Sequence, residues 1–81
     1  MKEPAISVRP ATPDDLPRIV AIEAQVQKAP WSFESFQAEF VKPFSSFWIL
    51  TDDETDERVH GYIVFWILDS ECRILTVAVG M

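Results

Sequence analysis

An α+β fold with the element order β-α-α-β-β-β, an antiparallel meander carrying two helices, is what the sequence predicts, on three observations. The last stretch, Arg73-Ile74-Leu75-Thr76-Val77-Ala78-Val79, is rich in β-branched residues and free of Pro, which suits a pleated, buried surface better than a helix. Val59 to Leu68 is nearly all apolar from Tyr62 onward, and Asp69-Ser70 is a short turn that folds it back against the terminal stretch. Upstream lie two short amphipathic segments, each ended by a proline, Pro30 and Pro43.

Ile6-Ser7-Val8-Arg9 alternates apolar and polar side chains and reads as a first strand, which Pro10 ends or sets at an edge. Thr12-Pro13-Asp14-Asp15 is a helix start, where side-chain oxygens accept free N–H groups and negative charge suits the dipole. Asp14 is the expected cap, because Pro17 then falls in the first turn, where its missing N–H costs nothing. Leu16, Ile19, Val20, Ile22 and Val26 form the apolar stripe of a helix running to about Gln27.

Ser32 caps a second helix, Phe33 to about Val41, with Phe33, Phe36 and Phe40 on one face. Trp31, just before it, is placed to staple onto the helix near Phe36 and also to form the lip of a peptide site. Phe47 to Thr51 is the second strand and Val59 to Leu68 the third, its continuous apolar run implying a central strand covered on both faces. Gly61 marks a bulge within it, and Glu71 to Val79 is the fourth strand. That last strand should have neighbours on both sides, and only one can come from the residues before it.

An 81-residue chain allows one small domain, which buries only roughly 60% of its unfolded surface. Yet 48% of the residues are hydrophobic, with three Trp and six Phe, more apolar bulk than so short a chain easily hides. The net charge is −6 and the seven Lys and Arg are scattered, which argues against a nucleic-acid or anionic-membrane surface. Cys72 is the only cysteine, so no intrachain disulfide or cysteine metal framework forms; with no apolar leader or span, the expected location is cytoplasmic.

The acidic run from Asp52 to Glu57 has Glu57 where a calcium loop needs its glycine and Ile63 where it needs its bidentate Glu, so it reads as a solvated hairpin loop. His60, the single histidine, reads as a polar strand-start residue, and Cys72, beside Arg73, as a packed or half-exposed thiol rather than a nucleophile. No metal is expected. With two glycines there is no phosphate-cradling loop.

Taken in order, Ile6 to Thr12, the Asp14-Asp15-Leu16 helix start with Ile22-Glu23, the Pro30-Trp31-Ser32 step, the acidic hairpin and the Glu71 to Val79 strand resemble the N-terminal half of a GNAT-superfamily N-acetyltransferase. The similarity is greatest to the ribosomal-protein-alanine N-acetyltransferases. It implies an acyltransferase using acetyl-CoA as donor and a protein or peptide N-terminus as acceptor, with Val77, Ala78 and Val79 holding the cofactor through their backbone. It also implies that Trp31, Ser32 and Phe33 border the acceptor groove.

On the same resemblance, the pyrophosphate loop and the catalytic base and acid lie outside these 81 residues; no catalytic residue is expected within them, and neither Tyr62 nor Glu71 takes such a role. The expectation is a single incomplete domain over residues 1–81, inactive alone. It is completed at the fourth strand by a missing C-terminal half or by a second copy. The alternative is a non-catalytic interaction module that pairs with another chain through the exposed fourth strand.

Overall fold

The computed structural model describes residues 6–52 and 59–79. The described strands are β1 (Ile6–Pro10), β2 (Ser45–Asp52), β3 (Val59–Leu68) and β4 (Glu71–Val79), and the helices are α1 (Leu16–Val26) and α2 (Phe33–Glu39). The strands pair antiparallel in the order β1-β2-β3-β4, so the α+β meander expected from the sequence is the observed fold. Residues 53–58, which include all of the acidic run but Asp52, lie outside the described residues.

Because strand side chains alternate, the register sorts the sheet into two faces. The row Ile49, Tyr62, Ala78 and the row Phe47, Val64, Thr76 are all buried and face the helices. Leu16 and Ile19 of α1 and Phe36 of α2 close the core over them. Phe36 sits 5.7 Å from Phe47 and 5.9 Å, edge on, from Tyr62, while Phe40 stacks on Phe47 at 5.2 Å. Aromatic packing of this kind dominates the energetics of so small a core.

The opposite face differs from expectation. β3 is central in the sheet, but the two helices cover one face only, and the rows Trp48, Ile63, Val77 and Val8, Leu50, Gly61, Val79 lie on the other. Val8, Trp48, Val77 and Val79 are exposed there, as is Ile74 at 60%. The unbroken apolar run in β3 therefore faces a hydrophobic surface that nothing among the described residues covers.

Two irregularities bend the sheet. Thr51 pairs with Val59 and Leu50 with Gly61, so His60 is an extra residue on β3, next to the glycine that the sequence marked for a bulge. Val64 pairs with Thr76 and Phe65 with Ile74, leaving Leu75 as the extra residue on β4. The β3–β4 turn puts Asp69 at φ 52°, a left-handed conformation that Asp tolerates better than most residues.

The helix ends correct two expectations. Asp14 does not cap α1; a single 3-10 turn, Pro13–Asp15, precedes it, and Asp15 is the residue at the cap of α1. The reason lies six residues back on β1, where the two terminal Arg9 guanidinium nitrogens bond the Asp15 carboxylate at 3.0 and 2.9 Å while Thr12 N–H donates to it at 2.8 Å. α2 stops at Glu39 rather than near Val41, because Phe40, Val41 and Lys42 N–H groups bond carbonyls three residues back and tighten the last turn out of the α form. Ser32 does cap α2, its Oγ accepting the Ser35 N–H at 3.1 Å.

Candidate functional site

Helix α1 carries a carboxylate in the middle of its apolar stripe. Glu23 follows Ile19 by four residues and so shares its face; it is 1% exposed. Its Oε1 accepts the Tyr62 hydroxyl of β3 at 2.6 Å and the Thr76 hydroxyl of β4 at 3.0 Å. Its Oε2 accepts the backbone N–H of Trp31, in the loop between the helices, at 3.0 Å. One buried carboxylate thus ties three other segments to α1, and hydrogen bonds to a charged acceptor are the stronger kind.

Burial, reinforced by the bond to Glu23 and its charge, drives the Tyr62 phenol well above its ordinary range. The hydroxyl accordingly remains a donor. At 3% exposure, and with its proton directed at Glu23, Tyr62 is a part of the core, while Glu71 is exposed at the start of β4.

A second carboxylate works one helix along. Glu39 Oε1 accepts from Trp66 Nε1 at 2.6 Å and Ser45 Oγ at 2.8 Å, and its Oε2 accepts from Lys42 Nζ, which also lies 5.0 Å from the Trp66 ring centre. Burial alone raises this carboxyl, but the bonds from Lys42, Trp66 and Ser45 outweigh it and hold the group below its ordinary value.

Between these clusters runs a groove of about 350 Å³ lined by Trp31, Ser35, Ala38, Glu39, Lys42, Trp66 and Leu75. Trp31 reaches it from the inter-helix loop while packing, tilted, against Phe36 with ring centres 5.1 Å apart, so it is both the expected staple and a groove wall. Ser32 and Phe33 are placed differently: Ser32 serves as the α2 cap, Phe33 is 40% exposed, and neither lines the groove.

β4 is an outer strand, and the pleat divides its last residues. Ala78 turns inward to the helix face, whereas Val77 and Val79 point to the open face. The Gln27 amide at the end of α1 reaches Thr76 Oγ1 at 3.4 Å and Val77 O at 3.5 Å. The three residues border a shallow apolar hollow of about 170 Å³ with Val8, Trp48 and Ile63, floored where Gly61 has no side chain. Trp31 and the Val77-Ala78-Val79 stretch are therefore linked through Glu23 and Thr76.

Sequence reasoning missed the two carboxylate clusters. The signal was present, since Glu23 interrupts the apolar stripe of α1 and Glu39 lies three residues beyond Phe36, but their partners are remote in sequence. His60 also has a partner not foreseen, Asp52 Oδ1 at 2.6 Å across the β2–β3 ladder. Cys72 is free and exposed.

No protein-family model and no curated protein sequence matches the chain. Among solved structures, it is similar to the crystal structure of the ribosomal-protein-S18-alanine N-acetyltransferase from Escherichia coli, with a TM-score of 0.77 and 19% identity, covering 93% of this chain and 46% of that one. It is likewise similar to Arabidopsis thaliana NAA60 in complex with a bisubstrate analogue, with a TM-score of 0.76 and 24% identity, covering 94% of this chain and 55% of that one. The chain has a GNAT-like half-domain fold, and it spans about half the length of each of these proteins.

Proposed function

We propose that this chain is the donor-strand half of an N-acetyltransferase that moves acetyl from acetyl-CoA to the N-terminal amine of a protein or peptide, and that it is inactive alone. The observation that carries this reading is the outer position of β4, interrupted by its bulge at Leu75 and followed by Thr76 to Val79. An outer strand presents unpaired N–H and C=O groups, which suit the peptide-like amides of the pantetheine arm as a further strand would. When bound, acetyl-CoA supplies an acetyl group as a thioester.

The roles of the chain's own residues follow. Backbone groups of Val77, Ala78 and Val79 bind and orient the donor, and an N–H aimed at a carbonyl oxygen polarises it without reorganisation. The groove beside Trp31 receives the acceptor peptide, with Ser32 and Phe33 following Trp31 at the start of α2. No residue of the chain is assigned as the base or acid. A cytoplasmic setting goes with this reading, supported by the one free thiol.

The test is an amide-resolved NMR titration of the 81-residue chain with acetyl-CoA. Saturable shifts centred on residues 76–79 are expected, with no turnover of a peptide substrate. A folded chain whose amides do not move, or move elsewhere, overturns the donor-strand assignment, and turnover overturns the claim of inactivity.

The same outer strand favours a second reading, a non-catalytic module that pairs through β4 with another chain, a second copy included. The titration separates the two: a chain that pairs through β4 but shows no saturable acetyl-CoA shifts at residues 76–79 is the module and not the donor half.

A further inference from the structure

We infer that Glu23 is a positioning residue that locks the Trp31 loop to β4 at Thr76. This rests on the proposed function, in which the loop borders the acceptor and β4 holds the donor. What carries it is the division of labour between the two carboxylate oxygens. Oε2 is bonded to the loop, through the Trp31 N–H at 3.0 Å, and Oε1 to the sheet, through Thr76 at 3.0 Å and Tyr62 at 2.6 Å.

No Lys, Arg or His donates to this carboxylate among the described residues; all three donors are neutral groups from different segments. A carboxylate buried in this way is costly unless fully bonded, so loop and strand hold one another through it. Its placement is specific to the two surfaces at issue. Trp31 is a wall of the groove, and Thr76 is the first residue after the β4 bulge and the one before Val77-Ala78-Val79. Release of either bond leaves the groove wall free to move relative to the donor strand.

The test compares hydrogen exchange of the Trp31 amide with that of Ile49 in the sheet core, in the wild-type chain, Glu23→Met and Thr76→Val. Methionine keeps the reach of Glu23 and cannot accept these bonds; valine keeps the shape of Thr76 and removes its bonds to Glu23 and Gln27, leaving the Trp31 and Tyr62 bonds to Glu23 in place. The Trp31-to-Ile49 exchange ratio is expected to rise about tenfold in Glu23→Met and about threefold in Thr76→Val, where the bond removed from Glu23 is on the other carboxylate oxygen.

Acetyl-CoA affinity falls in step in both variants. A merely structural Glu23 moves both amides together and leaves the ratio unchanged, which overturns the proposal. If Glu23→Met does not fold, an unchanged ratio in Thr76→Val overturns it equally. The exchange ratio needs no ligand, so failure of the wild-type chain to bind acetyl-CoA counts against the functional reading and leaves the lock to be decided by exchange.

Discussion

Gly61 sits hard against β4: a Cβ built on it would lie 2.7 Å from the Ala78 carbonyl oxygen and 3.3 Å from Val79 Cα. Both neighbours are backbone, so no rotamer relieves the overlap, and Gly61→Ala must push β4 outward. The expected loss is about 1–3 kcal/mol in a urea titration, with the largest amide shifts at residues 78–79. Charge gives a second residue-level prediction. Burial raises the carboxyls of Asp15 and Glu39, but the Arg9 and Thr12 bonds in one case, and the Lys42, Trp66 and Ser45 bonds in the other, hold both below their ordinary values. Each therefore stabilises the fold only when ionised. Their contribution is complete above the unfolded values, near 3.8 and 4.5, and is lost as pH falls through the lowered folded ones. The urea midpoint should be flat from neutral pH to about 5 and fall below about 4, and Glu39→Gln should remove part of that fall. Residues of this kind are only half legible in a sequence. Glu23 and Glu39 stand out as carboxylates on apolar faces, but Tyr62, Thr76 and Trp66 bond them from 39, 53 and 27 residues away.

At the scale of elements, the inter-helix loop is fixed by its aromatic residue. The Trp31 ring packs, tilted, against Phe36, which is fully buried against Phe47 and Tyr62, and the Trp31 backbone N–H is bonded to Glu23. Trp31→Ala keeps the amide bond and removes the ring packing, so it should cost about 2–4 kcal/mol in the same titration. The loss should be concentrated in α2, seen as reduced amide protection from Phe33 to Glu39. Elements were the most legible level. The third and fourth strands run between the bounds that periodicity and the Asp69-Ser70 turn implied, Val59–Leu68 and Glu71–Val79. What escaped was decided by partners outside the local window. Asp15 rather than Asp14 stands at the start of α1, its carboxylate bonded back to Arg9 of β1 and to Thr12 rather than to the helix N–H groups. Phe33 stays out of the core although it shares a periodic face with Phe36, because α2 is short and the sheet lies under its middle.

For the molecule as a whole, the open face of the sheet dominates. A continuous apolar run such as Tyr62 to Leu68 signals burial on both sides, but the sequence cannot say that the two helices supply only one covering layer. The result is a surface bearing Val8, Trp48, Val77 and Val79, all exposed, around the hollow above Gly61, with exposed Ile74 further along β4. Contiguous apolar surface of this extent drives association in water, because its burial is favourable wherever a complementary surface is available. Sheet faces pack on one another with their strands nearly aligned, which lets a second copy serve as that surface. The isolated chain should therefore self-associate, its light-scattering mass rising with concentration. Ile74→Lys combined with Val77→Lys should hold it at monomer mass. Both side chains point away from the core, at 60% and 50% exposure, so the thermal midpoint of the monomer should change little. A wild-type chain that stays monomeric at high concentration, with the same mass as the double variant, would show that this face is not adhesive by itself. The apolar surplus would then have to be accounted for within the fold.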